Sequence, residues 1–167
     1  MSGDARFKPV PPAPESLDRL HEARAAVPLV PSGSEDCCAR VARALGLADR
    51  GTGETWLVFL RALSLVEAGD RGYHRTREDV EIAALRARFR ERVVGADDVL
   101  SAVEDADEPL GVDRIFERVS ETVPAWERRR HDDWEAVWRD RTGRLLGWAT
   151  LFELLEETDG RYCPERN

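Results

Sequence analysis

The sequence predicts a mainly α protein with two short β-hairpins, built from two copies of one small domain. Leu57, Leu65, Glu67, Asp70, Tyr73 and Arg77 recur at one constant offset of 89 as Leu146, Leu154, Glu156, Asp159, Tyr162 and Arg166. Leu17-Asp18-Arg19-Leu20, Glu22 and Val27-Pro28 recur as Val112-Asp113-Arg114-Ile115, Glu117 and Val123-Pro124, with one residue inserted. A unit of about 55–60 residues is too long for a solenoid repeat and suits a small domain. In each copy helical periodicity gives way to two short segments around a glycine turn.

The elements follow in order. Residues 1–15 carry Pro9, Pro11, Pro12 and Pro14 and read as an extended leader, not a signal peptide. Ser16 to Ala26 reads as a helix capped by Ser16, with Leu17, Leu20 and Ala23 at helical spacing. Val27-Pro28 ends it, because a residue before proline avoids the helical region. Ser32-Gly33-Ser34-Glu35 reads as a capping box for a second helix to Leu45, closed by Gly46. Asp49 to Gly53 reads as a turn. A third helix, from Thr52 or Gly53 to about Ser64, carries a stripe of Trp56, Leu57, Leu60 and Leu63. Leu65-Val66-Glu67, a glycine-rich turn and Tyr73-His74-Arg75-Thr76 make a hairpin.

Residues 77–109 read as a helical, acidic linker. Val80, Ile82, Leu85, Phe89 and Val93 suit one long helix; Asp97 or Asp98 would cap a shorter one. In the second copy Val112 to Thr122 reads as the first helix. A second helix from Pro124 carries Trp126, Trp134, Val137 and Trp138, and Thr142-Gly143 reads as a break. Leu145 to Phe152 is then the third helix, followed by a hairpin around Thr158-Asp159-Gly160.

The chain has 167 residues and a net charge of −8, with one lysine against 24 arginines. That suits a GC-rich genome and a halophilic cytoplasm, where acidic surfaces stay solvated. The charge is uneven: residues 95–123 carry nine acids and two arginines, whereas residues 61–94 carry eight arginines and six acids. No run of 18 apolar residues is present, so no membrane span is expected. Cys37, Cys38 and Cys163 without a signal peptide point to a reducing, cytoplasmic setting. Adjacent Cys37 and Cys38 point apart on a helix and read as ordinary thiols, not metal ligands. There is no phosphate loop, nucleophile elbow or HExxH motif, so neither enzyme activity, a cofactor nor a metal is expected.

Three short helices closed by a hairpin is the order of a winged helix-turn-helix domain. The string Phe59-Leu60-Arg61-Ala62-Leu63-Ser64-Leu65-Val66-Glu67 resembles the end of that family's recognition helix running into its first wing strand. The acidic, arginine-rich style resembles haloarchaeal members. The resemblance implies tandem winged helix-turn-helix domains at 16–76 and 110–167, joined by the linker. It also implies a DNA-binding transcriptional regulator whose main reader is the first copy.

A helix fits the major groove and presents its free face to base edges. In the first copy that places Thr52, Thr55 and Arg61 at double-stranded DNA, with wing residues Arg71, His74 and Arg75 for phosphate or minor-groove contacts. In the second, Arg128, Arg129, Arg141 and Arg144 surround the start of the third helix, within the run Arg128-Arg129-Arg130-His131. That helix, Leu145-Leu146-Gly147-Trp148, is almost wholly apolar, which suits burial. The alternative is a non-enzymatic protein–protein adaptor, with a homodimer or protein partner meeting the linker helix or second copy.

Overall fold

A computed structural model describes residues 6–130 and 132–165, and the chain divides into two units, 1–94 and 95–167. The division falls within the stretch read from the sequence as a linker. His131 and Arg166, both invoked above, lie outside the described residues.

Unit 1 begins with α1 (Asp18–Ala26), where Ser16 Oγ accepts from the Asp18 N–H at 3.2 Å. Extended Val27 ends it ahead of Pro28. Helix α2 (Ser34–Leu45) follows, burying Cys37, Cys38, Val41, Ala42 and Leu45. Its capping box does not form. Gly33 is the N-cap, and the Ser32 hydroxyl donates to Asp36 at 2.6 Å. The Ser32 backbone is committed to a strand bridge with Tyr73, and its hydroxyl meets the Asp36 carboxylate in the first turn instead of a free N–H group. Gly46 supplies the left-handed C-terminal turn at φ 66°.

Helix α3 (Arg50–Ala62) starts earlier than the sequence suggests, because Asp49 caps it by accepting from the Thr52 N–H at 2.8 Å. It buries Gly53, Trp56, Leu57, Phe59, Leu60 and Ala62. Gly53 lets α3 lie directly on α2: a Cβ there would fall 2.4 Å from the Cys38 carbonyl oxygen. Strands β1 (Val66–Gly69) and β2 (Gly72–Arg75) form the wing, with Ser32 bridging the far side of β2. Arg24 ties α1 to the wing base, donating to Leu65 O, Thr76 O, Thr76 Oγ1 and Glu78 O at 2.7–3.3 Å. Helix α4 (Ile82–Arg92) completes the unit, burying Leu85 and Phe89. Its C-terminus pairs with the N-terminal segment through a parallel bridge, Phe7 to Val93.

Unit 2 contains α5 (Ala96–Glu104), β3 (Leu110–Gly111), α6 (Val112–Ser120), α7 (Ala125–Arg130), α8 (Trp134–Leu151), β4 (Leu155–Thr158) and β5 (Arg161–Pro164). Neither Asp97 nor Asp98 caps α5, since both lie within its first turn behind Gly95. In the β4–β5 turn, Asp159 at φ 53° and Gly160 at φ 78° both take the positive values that a tight hairpin needs.

The offset of 89 survives to the level of single hydrogen bonds. Ser64 and Glu153 are both left-handed, at φ 58° and 60°. Leu65 N donates to Leu60 O at 3.0 Å and Leu154 N to Ala149 O at 2.9 Å. Thr76 N meets Leu65 O at 3.0 Å, and Glu165 N meets Leu154 O at 3.1 Å. The earlier match is corrected. The counterpart of α1 is α5, Ser32 corresponds to Leu110 (both pair with the tyrosine-bearing strand), and α2 corresponds to α6. Val112 therefore opens a second helix, not a first. The matched strings share only the generic pattern of an amphipathic helix start. The added length of unit 2 lies between α6 and the end of α8 and holds α7.

Two further expectations change. Thr142-Gly143 does not break the chain; both lie inside α8, where the Thr142 hydroxyl donates to Trp138 O at 2.7 Å. The helix expected from Pro124 is instead divided, with α7 ending at Arg130 and α8 starting at Trp134.

Gly53→Ala should cost about 1–3 kcal/mol through backbone overpacking. Gly143→Ala, where a Cβ meets nothing within 4 Å, should add about 0.5–1 kcal/mol. Thermal melts of the two variants should therefore shift in opposite directions.

Candidate nucleic-acid interface

Helix α3 turns its buried stripe to α1 and α2 and leaves Gly51, Glu54, Thr55, Val58 and Arg61 on the outer side, partly or fully exposed. Thr52 lies at the capped start, where both its N–H and its hydroxyl donate to Asp49 Oδ1, at 2.8 and 3.0 Å. These bonds hold the Asp49 carboxyl below the usual carboxylate range. The Thr55 hydroxyl donates to Gly51 O at 3.2 Å. Arg61, at the other end of the face, stacks on the Phe7 ring with its guanidinium carbon 5.2 Å from the centroid.

The wing lies beside this face. Arg71 is exposed at the turn and has no hydrogen bond or ion pair among the described residues. His74 faces Glu67 across the ladder at 3.4 Å, and its buried Nδ1 has no hydrogen-bond partner among the described residues. Arg75 sits at the wing base, its guanidinium donating to Ala25 O at 3.5 Å. The structure thus brings Thr52, Thr55 and Arg61 onto one helix and Arg71, His74 and Arg75 onto the adjoining hairpin.

The second set is not equivalent. Arg128 donates to Ser120 O and stacks on Trp134 at 4.6 Å, while Arg129 is exposed with no partner among the described residues. Arg144 pairs with Asp140 at 3.1 Å. Arg141 is not a surface residue at all: it is 8 % exposed, over the Trp138 ring. Burial lowers its pKa to about 10, opposed by the negative charge of Glu127 on α7, which is 3 % exposed. This corrects its assignment to DNA, since a side chain packed inside the unit cannot reach a phosphate. Helix α8 also begins five residues before the position that matches the start of α3, so the matching helix end is not free. The β4–β5 wing carries Glu156, Glu157 and Asp159 against Arg161.

Formal charge separates along the same division: residues 1–94 sum to +1 and residues 95–167 to −9. Sequence reading missed three residues that gather near Arg61. Phe7 lies in the stretch that reads as a leader, and Arg88 and Arg92 in the one that reads as a linker. The available signal was their spacing of four, which places both on one side of a helix. Among the described residues no group of three or more His, Cys, Asp or Glu is placed to hold a metal ion, and no helix is long and apolar enough to cross a membrane.

Each unit has a matching trio of helices (α1, α2 and α3; α5, α6 and α8), a hairpin and a short strand or bridge beside it, which defines a pair of winged helix domains. The chain matches the family described as Halobacterial double winged helix domain over residues 5–167, and it belongs to that family. No curated protein and no solved structure matches it.

Asp49→Ala should lower the melting temperature at neutral pH. Because the folded carboxyl titrates below its unfolded value, its stabilisation is present above the ordinary carboxylate pKa and is lost as pH falls through the depressed one. The gap between wild type and variant should therefore close in acid. Glu127→Ala should cost about 3–5 kcal/mol by stranding the buried Arg141 charge, whereas Glu127→Leu with Arg141→Met should keep most of the stability.

Proposed function

We propose that the protein is a non-enzymatic DNA-binding transcriptional regulator of the cytoplasm that reads double-stranded DNA with unit 1. The observation that carries this is the joint placement of Thr55, Val58 and Arg61 on the outer side of α3 with Arg71 on the adjoining wing. They lie in a unit of formal charge +1 within an acidic chain. The helix supplies side chains for base edges, and the wing arginines supply phosphate contacts.

Unit 2 supports a different role, as a protein-partner surface. It carries the negative charge, its matching helix start is not free, and Trp126 is 56 % exposed beside Arg129 and Arg130. A surface tryptophan is a common interface anchor.

Polarisation titrations of the full chain on labelled genomic duplexes, across a salt series, test the reading. Binding should weaken with salt, and Arg61→Ala and Arg71→Ala should each lower the log–log slope by about 0.9 per lost phosphate contact. Arg129→Ala should leave it unchanged. Salt-independent binding, or equal slopes for wild type, Arg61→Ala and Arg71→Ala, would refute the assignment.

A further inference from the structure

We propose that the groove between α4, the corner at Ser64 and strand β1 is a phosphate-binding site, gripped by Arg61, Arg88 and Arg92. It rests on the DNA-binding reading for the source of the phosphate, a backbone phosphodiester, but not for its chemistry. A cavity of about 530 Å³ is lined by Arg61, Ser64, Glu67, Arg88, Glu91 and Arg92, with the β1 backbone as one wall. It shares Ser64, Glu67 and Arg88 with a second cavity of about 490 Å³, which adds Arg75 and Arg77. The two make one basic groove along the wing.

Each guanidinium is held in place without using all of its donors. Arg88 donates to Leu63 O at 3.1 Å and to Glu78 at 3.0 Å. Arg92 donates to Ser64 Oγ. Arg61 and Arg92 both stack on the Phe7 ring, each 5.2 Å from its centroid. The Phe7 N–H donates to Arg92 O at 2.7 Å and the Val94 N–H to Phe7 O at 3.0 Å, which pins the ring. A guanidinium has five N–H donors, so the two bonds of Arg88, the one bond of Arg92 and the ring stacking of Arg61 leave donors for a ligand. Capping the end of α3 explains the bonds to Leu63 and Ser64. It does not explain why a third arginine, Arg61, converges on the same cavity.

The charge balance favours an anion. Burial, then the neighbouring charges of Arg88 and Arg61, hold Arg92 below its usual pKa. Of the carboxylates on the two cavities, Glu78 is paired with Arg88 and Glu67 meets His74 at 3.4 Å, and with Glu91 they are three against Arg61, Arg75, Arg77, Arg88 and Arg92. Glu91 lies on the lining. A tetrahedral phosphate offers acceptors in several directions and suits guanidinium forks arriving from two helices.

The full-length protein should be titrated with sodium pyrophosphate while the arginine Nε–H signals are followed by NMR, and with duplex DNA by polarisation over salt. Signals of Arg61, Arg88 and Arg92 should shift saturably. Arg92→Gln should weaken pyrophosphate about tenfold and lower the DNA slope by about 0.9. Glu91→Gln, which removes a competing carboxylate and none of the anchors above, should tighten both. If Arg92→Gln fails to fold, Glu91→Gln decides the matter by the sign of its effect. Pyrophosphate shifts with an unchanged DNA slope would keep the site and make its ligand a free phosphate. Salt-dependent DNA binding that neither variant alters, with no pyrophosphate shifts, would overturn the site and leave the DNA reading intact. No pyrophosphate shifts and no DNA binding would overturn both.

Discussion

One left-handed residue at the end of the third helix sets the relation between helix and wing. At Ser64 the chain leaves α3 with φ 58°, and two reversed backbone bonds, Ser64 N to Arg61 O and Leu65 N to Leu60 O, close the helix. A non-glycine residue in this region costs about 1–2 kcal/mol, and the closing bonds together with buried Leu65 offset it. The turn sends the chain straight into β1, and Thr76 returns to bond Leu65 O. Helix and hairpin are thereby hinged to one carbonyl, which Arg24 also holds. The corner fixes the angle between the third helix and the wing.

Unit 2 repeats the corner with a glutamate and uses it differently. The backbone has been kept while the surface chemistry has changed. Arg61 is matched by Thr150 and Val58 by Gly147, and Arg144, at the position of Thr55, is paired with Asp140. The inserted helix α7 brings Glu127 into the interior, where Arg141 answers it. Arg141 is drawn inward at the position that Thr52 holds in the first copy.

Much of this was legible in the sequence because it rests on local chemistry. Gly46, Val27-Pro28 and Asp159-Gly160 each act through their own backbone preferences, and each ends or turns an element where expected. The stripes of α2 and α3 follow from burial. What was misread depends on partners far along the chain. Ser32 has the side chain of a cap, but its backbone is claimed by Tyr73. Gly143 has the propensity of a breaker, but α8 is held on both sides of it by buried Trp138, Thr142, Leu145 and Leu146. Arg141 lies among surface-like charges in sequence, and only the fold brings Glu127 to it. The spacing of Arg88 and Arg92 places them on one side of a helix, but only the fold brings Phe7 and Arg61 to them from separate segments.

The bridge between Phe7 and Val93 closes unit 1 on itself: the segment at Phe7 and the end of α4 lie side by side. A cassette whose entry and exit points adjoin can be relinked in another order or carried into a foreign loop without stretching its interior. The route by which such a module is copied in tandem is then short, since each new copy needs only a few residues of connection. Unit 1 is accordingly a natural candidate for transplantation as an independent part.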